Sequence, residues 1–225
     1  MNLKDRLNRL FDRKLTDFYS SIGSISLEET DYGPFVPFIW DDHYSSADAK
    51  IVFVGQQTNG WTSLKKSLER QYTSEHLSSM SKDFKHAENY NSPFWNFVHN
   101  INKEFNSDRL AFYWTNIFKT ESDNYQPGEH ILSGSKKHLD TLSEELSILD
   151  PDIAVFLTGP LYDDHLKDSL PNIVFRSIDK DVSERKIASV EGLNFRAVRT
   201  YHPAYLRRRK IFEPYLKKTI EFLKG

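Results

Sequence analysis

The chain opens on a stripe of apolar residues. Leu3, Leu7, Leu10, Phe11, Leu15, Phe18 and Tyr19 recur three or four positions apart with charged residues between them, the spacing of an amphipathic helix. Residues 30–48, TDYGPFVPFIWDDHYSSAD, break the pattern, and their two Pro and one Gly predict an irregular connector. The period then changes. Residues 51–55, IVFVG, form a short, continuous, β-branched run of the kind buried on both faces of a parallel sheet. Residues 109–116 (RLAFYWTN), 152–159 (DIAVFLTG) and 195–202 (FRAVRTYH) have the same character, with 173–178 (IVFRSI) as a further edge strand.

Helical patterns fill the intervals. Ser92 suits an N-cap and Pro93 a first helical position, and Phe94, Phe97, Val98 and Ile101 follow at helical spacing. A second helix is expected over about 136–149, with Leu139, Leu142, Leu146 and Leu149 on one face and a stop at Asp150-Pro151. Residues 62–91 and 121–135 are polar and predict surface helix and loop. Strands alternating with helices predict βαβ units and a parallel sheet covered on both sides, with ligands outside the carboxyl ends of the strands. No internal repeat, low-complexity tract or linker divides the 225 residues. One domain over 1–225 is therefore expected, with the helix and connector of residues 1–48 packed on it.

Composition narrows the class. Aromatic residues make up 14% of the chain, which argues for a packed core and against disorder. Apolar runs are too short for a membrane span, and the opening MNLKDRLNRLFDRK has no signal core, so a soluble cytoplasmic protein is expected. The absence of Cys excludes disulfides, thiolate nucleophiles, Cys-ligated zinc and iron–sulfur clusters; no cofactor or metal is expected. The net charge of −2 conceals an asymmetry. Residues 196–225 carry nine basic side chains against Glu213 and Glu221, a surplus of seven, which leaves the remainder at −9. Such a tail is either a polyanion-binding face or a solvated helix.

The predicted strand ends hold the least ordinary residues. After the first comes Gly55-Gln56-Gln57-Thr58-Asn59-Gly60-Trp61, whose glycines and Asn permit a sharp turn with exposed N–H groups. It lacks the Lys of a phosphate loop and the spacing of a dinucleotide fingerprint. The second strand ends in Trp114-Thr115-Asn116, and an Asn amide both donates and accepts, as reading a base edge requires. The fourth ends in His202, which leads through Pro203-Ala204-Tyr205-Leu206 into Arg207, Arg208, Arg209 and Lys210. Asp41-Asp42-His43 and Asp163-Asp164-His165 are weaker constellations, read as solvated loop acids and as a helix start.

In their order these segments resemble the uracil-DNA glycosylase superfamily. IVFVGQQTNG is similar to its first motif, a buried strand ending in a glycine turn. FYWTNIFKT resembles the strand bearing the base-reading Asn, LDPDIAVFLTGPLY the third strand, and YHPAYLRR the HPSPLS-type second motif. The resemblance spans residues 51–207, about two thirds of the chain. It implies a three-layer α/β/α sandwich with a short, mainly parallel central sheet, DNA as partner, and hydrolysis of the N-glycosidic bond of a flipped nucleotide. By the same resemblance His202 binds the base carbonyl and stabilises the leaving base, and Asn116 reads its edge. The backbone of the Gly55–Gly60 turn, with Gln56 and Gln57, holds base and water, and Phe94 or Trp95 stacks on the base. Leu206 enters the duplex, and Arg207, Arg208, Arg209 and Lys210 grip phosphates.

Three positions depart from the family pattern. Gln57 stands where the housekeeping branch has a water-activating Asp, Ala204 replaces the usual Ser, and Thr58 replaces a Pro. An amide is no base, so Gln57 lowers the expected rate. Trp61 is expected as an ordinary core aromatic or a cover for the pocket. Two rival functions remain open at this level: a base- or nucleic-acid-binding protein without catalysis, and a hydrolase of free nucleosides or nucleotides, which needs no basic tail.

Overall fold

The computed structural model describes residues 1–123 and 125–225. In chain order the strands are β1 (Asp31–Tyr32), β2 (Ile51–Gln57), β3 (Phe112–Phe118), β4 (Glu121–Ser122), β5 (Ile153–Phe156), β6 (Val174–Ser177), β7 (Ile187–Glu191) and β8 (Arg196–Thr200). The helices are α1 (Leu3–Ile22), α2 (Asp41–Ser45), α3 (Leu64–Arg70), α4 (Ser74–Phe84) and α5 (Pro93–Phe105), then α6 (Glu129–Leu139), α7 (Leu142–Leu149), α8 (Asp163–Ser169), α9 (Pro203–Arg208) and α10 (Phe212–Lys224).

Six strands make one sheet in the order β3-β2-β5-β8-β7-β6. β3, β2, β5 and β8 run parallel, and β7 and β6 are added antiparallel at one side. Along β2, Val52 and Val54 enter a core shared with Leu142, Leu146 and Leu166 of α7 and α8. Ile51 and Phe53 enter the opposite core, shared with Phe97 and Val98 of α5, Leu206 of α9 and Leu216 of α10. Alternate side chains of a strand buried on both faces explain why this run is apolar throughout. The fold is the three-layer α/β/α arrangement that the sequence pattern predicts. A third cluster joins Phe11, Leu15 and Phe18 of α1 to Leu64, Leu77 and Ile131, so α1 lies against α4 and α6. The small β1–β4 ladder ties the connector to the residues after β3.

Several boundaries differ from expectation, each for a local reason. Residues 109–111 are not strand, because Asp108 draws them into a turn: its carboxylate accepts from the Leu110 N–H and its carbonyl from that of Ala111. The strand instead runs beyond Asn116 to Phe118. β5 ends at Phe156, since Gly159 adopts φ +71° and feeds a 3₁₀ turn, Pro160–Tyr162. The helix expected over 136–149 is two helices, α6 and α7, broken at Asp140-Thr141. Leu139 and Leu142 are both buried, so the apolar spacing runs through the break and hides it. β7 was not foreseen. Within 62–91, α3 and α4 bury Leu64, Leu77, Ser67, Ser78 and Ser81, and small serines disguise a packed segment as a surface one. No helix among the described residues is long and apolar enough to cross a membrane.

Candidate functional site

A cavity of about 600 Å³ opens at the carboxyl ends of β2 and β3, beside the start of α9. Its position follows from the parallel arrangement, which gathers the loops leaving neighbouring strands at one edge. Gly55, Gln56 and Gln57 of β2 border it, as do Asn116 of β3, Phe94 and Trp95 of α5, and His202. The structure thus brings together the residues expected to hold base and water.

Gly55 and Asn116 are register partners on adjacent parallel strands. A Cβ at Gly55 would collide with Oδ1 of Asn116, so only glycine leaves the amide its place. Asn116 is 2% exposed and its Nδ2 has no hydrogen-bond partner among the described residues. Gly55→Ala is expected to push the Asn116 amide aside, costing about 1–3 kcal/mol of stability as overpacking does. Urea unfolding together with oligonucleotide binding checks this, and wild-type values in both would show that the site has room.

His202 is the N-cap of α9, its Nδ1 accepting the Ala204 N–H at 3.3 Å. With Nδ1 an acceptor, the ring proton resides on Nε2. Burial, reinforced by the positive charge of Arg208, lowers its pKa from 6.5 to about 4, so the ring is neutral at neutral pH. Phe94 stacks alongside, centroids 5.6 Å apart and planes 24° from parallel. Ser92 caps α5 through the Trp95 N–H and Pro93 opens its first turn, which fixes where Phe94 begins.

The two glutamines are tied back. Gln56 Nε2 donates to the Thr158 carbonyl at 2.7 Å, and Gln57 Oε1 accepts from the Tyr162 hydroxyl at 2.7 Å. Among the described residues no carboxylate lines the cavity. Glu121 is buried and accepts the Gly60 N–H just beyond the Asn59 wall; burial raises its pKa. Lys119, from the same segment as Asn116, is fully buried and pairs with Glu145, so it is part of the scaffold.

Leu206 departs from expectation. It is fully buried among Phe97, Val98 and Phe212, because it shares the inward face of α9 with Pro203 three residues earlier. A leucine in that core is not presented to a duplex. Arg207, Arg208, Arg209 and Lys210 are all exposed. The aromatic remainder of the cavity is Trp61, expected as core aromatic or pocket cover, with Phe84, Tyr90 and Trp114, none of which is an expected site residue. Trp114 had a signal, since it stands two residues before Asn116 on the same side of a strand; Phe84 and Tyr90 had none. Trp61 is half-buried and packs edge-on against Phe35, Phe84 and Trp114, so it is both packed aromatic and pocket wall.

Elsewhere, a cavity of about 390 Å³ between α6 and α8 is bordered by Ser133, Lys136, Lys137, Asp140, His165 and Asp168, and touches no expected site residue. Among the described residues no group of three or more His, Asp or Glu is placed to hold a metal ion. His43 instead meets Asp108 at 2.5 Å, and Asp163 receives two hydrogen bonds from Arg199 at 2.9 Å.

A mostly parallel sheet, a glycine at position 55 of β2 and a cavity between an Asn and a His place the chain in a class of α/β proteins with a polar, aromatic-walled pocket at the strand ends. The family model of the Uracil DNA glycosylase superfamily matches residues 42–224, and the chain belongs to that superfamily. Among curated proteins none matches it in sequence.

Proposed function

We propose that the protein is a DNA glycosylase that hydrolyses the N-glycosidic bond of a flipped uracil or related damaged base. The carrying observation is the pairing of a neutral, half-buried His202 with the Asn116 amide, whose Nδ2 has no partner among the described residues, across one aromatic cavity. In this reading the C1′–N bond breaks and its electron pair leaves with the base. His202 Nε2–H donates to the base carbonyl where negative charge develops, the logic of an oxyanion site. Asn116 reads the base edge, with Nδ2 as donor, and Phe94 lies against the ring. Gln56 and Gln57 help form the wall around the attacking water, whose oxygen bonds to C1′. With no carboxylate at the cavity, leaving-group stabilisation carries the rate.

The exposed residues 207–210 supply phosphate contacts. Leu161 takes the role expected of Leu206. It is 82% exposed on the 3₁₀ turn, and Gly159 sets that turn against Tyr201 and His202. Apolar side chains inserted between base steps help extrude a nucleotide. Leu161→Ala should therefore slow excision from duplex DNA by about tenfold while sparing single strands, a difference of about 1.4 kcal/mol. Equal slowing on both would remove Leu161 from this role.

Because every polar side chain bordering the cavity is neutral, a base-binding protein without catalysis is the second reading. Alkali-revealed strand cleavage of a uracil-containing single-stranded oligonucleotide separates the two. Cleavage by the wild type supports the enzyme. Salt-sensitive binding with no cleavage, at high protein and long times, supports the binder.

A further inference from the structure

Gln57 ends β2, half-buried, with its side chain bordering the cavity. A glutamine turns about three side-chain bonds, and holding it in one rotamer costs conformational entropy. An amide of that reach guides a water molecule only when something keeps it still. Its neighbour Gln56 is tied to main chain, the Thr158 carbonyl. Gln57 is held by a side chain that comes from outside the cavity.

That side chain is Tyr162, whose hydroxyl donates to Gln57 Oε1 at 2.7 Å. The tyrosine is half-buried and lies behind the cavity lining. Its ring packs edge-on against Phe118 and His165, with centroids 6.2 Å and 5.9 Å away. Phe118 is in turn the register partner of Gln57 on the neighbouring strand. The turn carrying Tyr162 is fixed on both sides. Before it, the Gly159 N–H donates to the Thr200 carbonyl at 2.9 Å, and the Tyr162 N–H closes back on the Gly159 carbonyl at 3.2 Å. After it, the Arg199 guanidinium grips Asp163 through two bonds of 2.9 Å, and Arg199 is itself 1% exposed. Burial lifts the Tyr162 pKa to about 12, so the hydroxyl keeps the proton that it donates. A flexible amide at the cavity is thus pinned by a rigid group behind it.

We propose that Tyr162 is a positioning residue for base release: its hydroxyl holds the Gln57 carboxamide in the orientation that guides the attacking water. The role rests on the glycosylase reading above. Tyr162 touches neither base nor water and acts only through Gln57, and no proton passes between the two side chains.

The test compares wild type, Tyr162→Phe, Gln57→Ala and the double variant, each as the full chain. Release from a single-stranded oligonucleotide carrying one uracil is followed in single turnover. Binding is read by anisotropy on the matching 2′-fluoroarabino oligonucleotide, which resists cleavage. Tyr162→Phe keeps the ring and removes only the hydroxyl, a change that a half-buried position tolerates. It should release uracil about tenfold more slowly, the order expected when one neutral hydrogen bond is lost from the positioning of a reactant. Binding of the analogue should stay at the wild-type level. In the Gln57→Ala background the same change should have no further effect, because residues acting through one contact are not additive. Full-rate release by Tyr162→Phe, equal slowing in both backgrounds, or binding that weakens in step with the rate overturns the proposal and leaves the glycosylase reading standing. A wild type that releases nothing brings down the glycosylase reading, and this role with it.

Discussion

Replacing His202 by alanine should slow base release by about 10²–10³-fold, the loss seen when one preorganised donor is removed from a developing anion. The size follows from the setting. The ring is half-buried at the cavity, its Nδ1 is occupied by the Ala204 N–H, and its remaining proton on Nε2 is left for the leaving group without prior reorganisation. Acidity should reveal the same residue. Protonation would convert Nδ1 from acceptor to donor, break the bond to Ala204 and add a charge beside Arg208. The rate should hold steady from neutral pH downward and fall as pH drops through about 4. The sign for stability agrees: a His with its folded pKa lowered from 6.5 to about 4 is protonated more readily in the unfolded chain, so stability declines as pH falls below 6.5. His86, fully buried and lowered to about 3, adds to that decline. Single-turnover rates on a uracil oligonucleotide between pH 4 and 8, for wild type and variant, decide the matter. An unaltered rate in His202→Ala takes the imidazole out of the chemistry.

Lys119→Ala should lower the unfolding free energy by about 3–5 kcal/mol, the cost of stranding one partner of a buried ion pair. Lys119 and Glu145 are both fully buried, 2.8 Å apart. The ammonium also donates to Thr115 Oγ1 at 2.9 Å and to the Asn116 carbonyl at 2.6 Å. Glu145 accepts from Thr141 Oγ1 at 2.7 Å and the Tyr113 hydroxyl at 2.8 Å. Burial alone would raise the Glu145 pKa, but Lys119 and these donors bring it below the ordinary value. Removing Lys119 leaves a carboxylate in a dry core and frees the backbone of the very residue expected to read the base. The double variant Lys119→Met with Glu145→Leu should recover much of the loss, because neither charge is then stranded. Urea unfolding measures both, and a single-variant loss under about 1 kcal/mol would mean that water reaches the pair.

Much of this architecture is legible in the chain. IVFV and IAVF stand out because a strand buried on both faces has no polar positions, and Ser92-Pro93 marks the start of α5 by its own chemistry. What stays hidden does so for definite reasons. Periodicity reports which face is apolar but not whether the backbone pauses, so the break at Asp140-Thr141 goes unseen. The short β7, IASVE, mixes buried and exposed positions over five residues and gives little to recognise. For the site, strand ends converge by topology, and Gly55, Asn116 and His202 are recoverable from three separate segments. The inner aromatic wall is not, since Phe84 ends α4 and Tyr90 follows a turn whose path no local pattern dictates. Leu206 shows the converse: its neighbourhood in sequence suggests contact with DNA, while one helical turn from Pro203 places it inward.

The aromatic wall has a practical consequence. The chain has four tryptophans, and three of them, Trp61, Trp95 and Trp114, border the cavity. The fourth, Trp40, packs at a tilt against His86, whose ring lies 6.1 Å from that of Trp95. Excitation of indole therefore illuminates this region and nothing else in the molecule. The protein carries its own optical reporter, and its emission will register occupancy of the cavity without a label on either partner.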